Sequence, residues 1–335
     1  MTAPGTAGGD CRRKLLPSGL DFGPAGAIVR PVATRRIFHV PTLSSSETLV
    51  AEPWRDYALL DSGEGRKLER FGARILDRPD SQALWARSQP AEAWGAADAR
   101  FTGGKDEEGQ GNWDILKRHA DGTWPLTYGD VRCEAQLSGF RHVGIFPEQR
   151  VHWDFMEERV GPEFSLLNLF GYTGLASLLP AAKGAKVTHV DASKKAIAWA
   201  RTNQEASGMA EAPVRWICDD AARFAAREVR RGNRYDGIVL DPPKYGRGPK
   251  NEIWRLEEQL PTLLADVRAM LDGGSSFMVL TAYATHLSAI TLRRLVEDAL
   301  AGLGGAITHG EMTIREEGSG RLLPTSLFVR WDRHG

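Results

Sequence analysis

The chain has 335 residues, 42% of them hydrophobic, enough for one sizeable core and a second, smaller one. Its 43 basic and 43 acidic residues cancel, which excludes a uniformly basic nucleic-acid binder and confines any polyanion site to a local patch. Three unevenly spaced cysteines make no disulfide framework, no run approaches the ~18 apolar residues of a membrane span, and no charged-then-apolar signal opens the chain, so a cytoplasmic protein that stays out of membranes is expected.

Residues 1–50 are rich in Gly, Pro, Ser and Ala without sustained periodicity, and are expected to form a poorly ordered leader. Arg12, Arg13, Lys14, Arg30, Arg35 and Arg36 outnumber the acids there, as in an organellar transit peptide, although a solvated tail or a start placed too far upstream accounts better for the same composition. From 51 to 135 the pattern is short and punctuated by turns: an apolar run at 57–60, a turn at 61–65, a run at 74–76, and tryptophans at 85, 94, 113 and 124. This predicts a small β-rich domain whose tryptophans fill its core in preference to forming a substrate platform. The eight histidines show no metal-ligand spacing, and no metal site is expected.

Between 136 and 335, from Phe164 onward, apolar runs alternate with helical patterns, the signature of a parallel sheet covered on both faces. Residues 164–170 read as a strand, Gly171-Tyr172-Thr173-Gly174 as a turn and 175–183 as a helix. Such a loop suits a nucleotide, because glycine lets the backbone approach a ligand and the helix offers unpaired amides to an anion. The run 186–190 ends in Asp191, ~20 residues after the first glycine, the usual separation for a carboxylate that binds ribose hydroxyls. The run 214–218 ends in Asp219 and Asp220.

A strand at 235–240 closes in Asp241-Pro242-Pro243-Lys244. Two prolines forbid both further strand pairing and immediate helix, so Asp241 is expected on a rigid turn at the carboxyl edge of the sheet, where parallel sheets hold reacting groups. An Asp that merely caps the next helix is the plainer alternative. Lys244, Arg247, Lys250 and Arg255, with Trp254, then gather cations and an aromatic where a substrate enters, which suits nucleic acid. Arg223, Arg227, Arg230, Arg231 and Arg234, on the preceding helix, read more simply as a solvated face. A helix at 252–271, kinked by Pro261 and stopped by Asp272-Gly273-Gly274, a strand at 276–281, a helix at 286–303 and closing strands at 307–314 and 326–331 complete the pattern.

In order and identity these pieces resemble the class I S-adenosylmethionine-dependent methyltransferases over roughly residues 136 to 333. The resemblance implies a Rossmann-like α/β fold with a seven-stranded sheet, its last strand antiparallel and inserted between its neighbours. It implies that Asn168, Phe170, Gly171, Tyr172, Thr173 and Gly174 lie beneath the methionine and ribose of S-adenosylmethionine, that Asp191 with Ala192 holds the ribose, and that Asp220, beside Asp219, accepts from the adenine amino group. Asp241, also bordering the cofactor, and Pro242 would carry the catalytic motif. Asn-Leu-Phe-x-Tyr-Thr-Gly at 168–174 and the Asp-Pro-Pro-Lys form are similar to the branch that includes large-subunit ribosomal RNA methyltransferases of cytosine carbon-5 and guanine. The segment 139–150, ending in Gln149-Arg150, is similar to one that precedes the fold there, but longer.

Cytosine carbon-5 members of that branch place a nucleophilic cysteine after the fifth strand, where this chain has Ala282-Tyr283-Ala284. Carbon-5 is a poor nucleophile until a thiolate adds to the ring, so direct transfer to nitrogen or oxygen is expected. Asp241 would accept a proton or hydrogen bond from the acceptor, the Pro242 carbonyl would help orient it, and Lys244, Tyr245 and Arg247 would meet the substrate, with RNA the expected partner. Cys11 falls in the leader, Cys133 in the preceding domain, and Cys218 reads as a small buried thiol. Three other readings stay open: a protein or small-molecule acceptor, a non-catalytic cofactor-binding module, and an NAD-dependent dehydrogenase, whose fingerprint needs a third glycine that is lacking here. The sequence assigns no oligomeric state.

Overall fold

The computed structural model describes residues 45–103, 110–120, 122–271, 274 and 276–333. The expectations for residues 1–44, for Cys11, and for the helix stop at Asp272 and Gly273 lie outside these residues. Strand β1 (Glu47–Ala51) comes first. It is followed by β2 (Tyr57–Gly63), β3 (Arg66–Phe71), β4 (Arg74–Pro79), a short helix α1 (Ala91–Gly95), β5 (Ala99–Gly103) and β6 (Gly111–Ile115). Strands β2 to β6 form a sheet in chain order, antiparallel except for the parallel β4–β5 pair. A hairpin of β7 (Thr123–Tyr128) and β8 (Val131–Gln136) follows. Trp94 and Trp124 are buried in two separate clusters, and Trp85 and Trp113 pack partly buried against that of Trp124, so the tryptophans serve as core.

One turn of 3-10 helix, Pro147–Gln149, leads into α2 (Arg150–Glu157). The alternating units come next: β9 (Ser165–Leu169), α3 (Leu175–Ala182), β10 (Lys186–Asp191), α4 (Lys194–Ala206), β11 (Val214–Cys218), α5 (Ala221–Arg231) and β12 (Gly237–Leu240). A hairpin of β13 (Tyr245–Arg247) and β14 (Ile253–Arg255) precedes α6 (Leu256–Met270), and β15 (Phe277–Ala282), α7 (Ala289–Ala299), β16 (Ala306–Arg315) and β17 (Leu322–Asp332) follow. Helix α6 starts at 256 rather than 252 because 253–255 pair with 245–247. Helix α7 starts at 289 because the Ser288 hydroxyl accepts the Thr291 N–H as its N-cap.

The large sheet has the order β1-β16-β17-β15-β12-β9-β10-β11. Strands β9 to β12 and β15 are mutually parallel, and β17 runs antiparallel between β15 and β16, as the resemblance implied. The sheet has eight strands and not seven, because β1 pairs parallel with β16; residues 47–50, expected in a leader, are an edge strand. That pairing depends on Gly310, where a Cβ would stand 1.8 Å from the carbonyl oxygen of its partner Glu47. Strand β12 is buried at every position, as a central strand of a doubly covered sheet must be. On one side Leu167, Ile238 and Leu280 pack with Leu260, Leu264 and Val296 of α6 and α7. On the other, Leu166, Val239 and Val279 share one cluster with Leu178 of α3 and with Tyr57, Leu59, Phe71 and Leu76 of the N-terminal sheet.

Candidate active site

The order of connections reverses at β9, whose neighbours are β10 and β12, and a crevice opens outside the carboxyl ends of such strands. Here it is a cleft of about 370 Å³. The loop after β9 is tightly wound, with Phe170, Tyr172 and Gly174 all in the left-handed region (φ 61°, 50° and 89°). Phe170 and Tyr172 line the cleft. Gly171 leaves room for the sheet below: a Cβ there would lie 2.3 Å from Cε1 of buried His189 on β10. Asn168 also works from beneath, donating from Nδ2 to Ser177 Oγ at 2.9 Å, which in turn lies 2.9 Å from His189 Nδ1. Burial pushes that imidazole down to about 3, so it is neutral. Thr173 Oγ1 donates to the Gly144 carbonyl at 2.6 Å. All six loop residues expected at the cofactor, Asn168 and Phe170 to Gly174, line a smaller pocket of about 50 Å³ beside Asp241, and Phe170 and Tyr172 also line the main cleft.

The acids at the next two strand ends divide similarly. Asp191 takes the Tyr172 N–H on Oδ2 (2.9 Å) and the Ser193 N–H on Oδ1 (2.8 Å), and with Ala192 it lines the cleft. Burial raises its pKa and the two amide bonds oppose the rise. Asp220 lines the cleft while its Oδ1 caps α5 by accepting the Arg223 N–H at 2.9 Å. Asp219 is instead paired with Arg227 at 2.7 Å, on a half-buried position outside the cleft wall. Arg223 is likewise paired with Glu252 and Arg231 with Glu228, as a solvated helix face requires.

Asp241 forms the cleft floor. Its Oδ2 accepts from Gln149 Nε2 at 3.1 Å, and its Oδ1 is shut from solvent with no hydrogen-bond partner. Burial first, and the buried Glu148 carboxyl second, push its pKa up to about 8 against the pull of the Gln149 bond. The same Gln149 nitrogen lies 2.9 Å from Tyr283 Oη and 3.4 Å from Thr281 Oγ1, so one amide ties together the ends of β12 and β15. Pro242 and Lys244 line the wall, Lys244 Nζ standing 3.3 Å from His286 Nε2. Arg247 lines it too, whereas Tyr245, 39% exposed, does not. Trp254 is buried yet lines the cleft, and its indole N–H donates to the Pro243 carbonyl at 2.7 Å.

The opposite wall comes from the N-terminal sheet and the segment before α2: Lys67, Arg78, Asp80, Arg141, Phe146 and Glu148. None of these was picked out from sequence as a site residue, although Glu148 adjoins the Gln149-Arg150 pair noted there. Cys218 is exposed, a correction to the buried thiol expected, because its strand is the sheet edge and only β10 flanks it. Cys133 is buried, which pushes its thiol up to about 12. Neither lines the cleft, and Ala282, fully buried, ends β15.

Asp191 and Asp220 at successive strand ends, a winding loop between them and β9, and a partnerless carboxylate oxygen on the floor together fit an adenosine group carrying a cation. The frame that carries them is an α/β sheet with its last strand antiparallel and inserted between its neighbours. No family model matches the chain. It is 46% identical to an S-adenosylmethionine-dependent methyltransferase of solved structure from Agrobacterium tumefaciens, with a TM-score of 0.82 over 88% of this chain and 94% of that one. Over 202 residues it is 29% identical to ribosomal RNA large subunit methyltransferase K/L of Ectopseudomonas mendocina, covering 59% of this chain and 27% of that protein. Over 122 residues it is 29% identical to ribosomal RNA large subunit methyltransferase I of Klebsiella pneumoniae, covering 36% of this chain and 30% of that protein. The chain therefore spans less than a third of the length of these two curated relatives. The chain belongs to the S-adenosylmethionine-dependent methyltransferases, and S-adenosylmethionine is its cofactor.

Proposed function

We propose that the chain methylates RNA, and within RNA ribosomal RNA, by direct transfer to a nitrogen or oxygen of a base. The observation that carries this reading is the floor of the cleft: a carboxyl with one free buried oxygen, and no thiol among the described residues of the cleft wall. The ribosomal RNA relatives, and Lys244 and Arg247 on the wall, support the choice of acceptor. Among the described residues no helix is long and apolar enough to cross a membrane, and a cytoplasmic location fits an RNA substrate.

The cofactor supplies a methyl group already activated on a sulfonium, so the protein's share is orientation and proton handling. Phe170, Tyr172, Asp191, Ala192 and Asp220, which line the cleft, would hold it. Asp241, which lines the cleft and is fixed through Oδ2 by Gln149, accepts a hydrogen bond from an acceptor N–H and takes that proton as the new bond forms. The Pro242 carbonyl orients the same group. Only the carboxylate can do this, so turnover rises with pH until Asp241 ionises, at about 8 in the protein alone and lower once a positive sulfonium favours the charged form.

The test incubates the full chain with methyl-labelled cofactor and ribosomal RNA from cells lacking the gene, then identifies the labelled nucleoside by mass spectrometry. Label is expected in one base, and Asp241→Asn is expected to lower the rate about 100-fold or more with cofactor affinity nearly unchanged. Label in protein or a small molecule but not in RNA sinks the choice of acceptor, and a covalent adduct with 5-fluorocytosine-containing RNA sinks direct transfer.

A further inference from the structure

The β13–β14 hairpin has two faces of different chemistry. Its register pairs Tyr245 with Arg255, Gly246 with Trp254 and Arg247 with Ile253. Side chains alternate between the faces of a strand, so Gly246 and Trp254 share one face and Tyr245, Arg247, Ile253 and Arg255 share the other. The inner face is anchored: Trp254 is 2% exposed, its ring centroid lies 4.9 Å from that of Phe170, and its N–H holds the Pro243 carbonyl. The outer face is open, with Tyr245 39% and Ile253 47% exposed and both arginines exposed.

Between 244 and 255 the chain carries four cations, Lys244, Arg247, Lys250 and Arg255, against one carboxylate, Glu252, which Arg223 already engages. In a protein of zero net charge this is a local excess of positive charge. Arg255 touches Glu258 at 3.2 Å, an exposed pair of small energetic weight that a phosphate can replace. Arg247 belongs both to this face and to the cleft wall, so the face continues into the site.

We infer that the outer face of the hairpin docks a single-stranded RNA segment beside the nucleotide in the cleft, a reading that rests on RNA being the acceptor. Arg247, Lys250 and Arg255 meet phosphates, and the Tyr245 ring stacks on an unpaired base against Ile253. A three-residue strand is about 10 Å long, room for one or two nucleotides.

The test measures binding of the full chain to a fluorescent single-stranded oligoribonucleotide of mixed sequence across a salt series, together with methyl transfer to ribosomal RNA. Tyr245→Ala is expected to weaken oligonucleotide binding and raise the KM for RNA by about tenfold, while Tyr245→Phe, which keeps the ring, restores both. Arg255→Ala is expected to reduce the salt slope of binding by about 0.7, one phosphate contact on a single strand. In every variant kcat and cofactor affinity stay within a few-fold. Unchanged binding, slope and KM in Tyr245→Ala and Arg255→Ala, with RNA still methylated by the wild type, overturn the hairpin and leave the acceptor standing. Transfer by the wild type to a protein or small molecule alone overturns both.

Discussion

Asp241 carries its proton to a far higher pH folded than unfolded, and this has a stability consequence of definite sign. Its pKa rises from 3.8 in the free carboxyl to about 8, so between those values the folded chain binds a proton that the unfolded chain has lost. Stability therefore falls as pH climbs through that window. Asp241→Asn, which keeps the shape of the protonated acid, is expected to melt higher than the wild type, by an amount that is small near pH 4 and grows to on the order of 1–3 kcal/mol at pH 8 after allowance for solvent reaching the carboxyl from the cleft. Melting curves at several pH values check this, and a difference that does not vary with pH would remove the buried-acid reading. The identity of Asp241 was legible because two prolines mark a strand end in any context. Its partner was not: Gln149, which bonds both Asp241 and Tyr283, comes from a distant part of the chain, and only the folded register of β12 and β15 brings their tips together beneath it.

At the scale of elements, the strand–turn–helix of β9 and α3 was plain from its apolar run and glycines, but the packing beneath the glycines was not. Sequence points to ligand approach, and Gly171 and Gly174 do line a small pocket; the structure adds that a Cβ on Gly171 would meet the imidazole of His189 on the neighbouring strand. Gly171→Ala is thus expected to cost about 1–3 kcal/mol of stability and to loosen cofactor binding, through overpacking. His189→Ala opens the space for that methyl group, so the double variant should be more stable than the two single losses added together predict, by about 1 kcal/mol. Strict additivity in thermal or urea unfolding would show that the glycine serves something other than this contact. The β13–β14 hairpin was overlooked for a related reason: three-residue strands leave no periodicity, and residues 253–255 continue the apolar spacing of the helix that follows.

For the molecule as a whole, the parallel strands were readable because each is a local run ending in an acid, whereas the contribution of the N-terminal sheet was not. Tyr57, Leu59, Phe71 and Leu76 sit in one apolar cluster with Val239 and Val279, and Lys67 and Arg78 face the cleft. Residues 136–335 made alone should therefore lack a cooperative melting transition and bind S-adenosylmethionine poorly; a sharp transition with full affinity would show the two sheets to be energetically separate. The strand order has a further effect, on the chain during its synthesis. Glu47 leaves the ribosome long before its partner Gly310, and β17 must slide between β15 and β16 after both exist. Until then the growing chain holds an apolar β15 with one flank unpaired, so completion of the sheet is a late, slow event of high contact order. Nascent chains stalled before residue 322 are the ones expected to need a chaperone's cover, and a silent codon change that delays β17 would lower yield without touching a single contact.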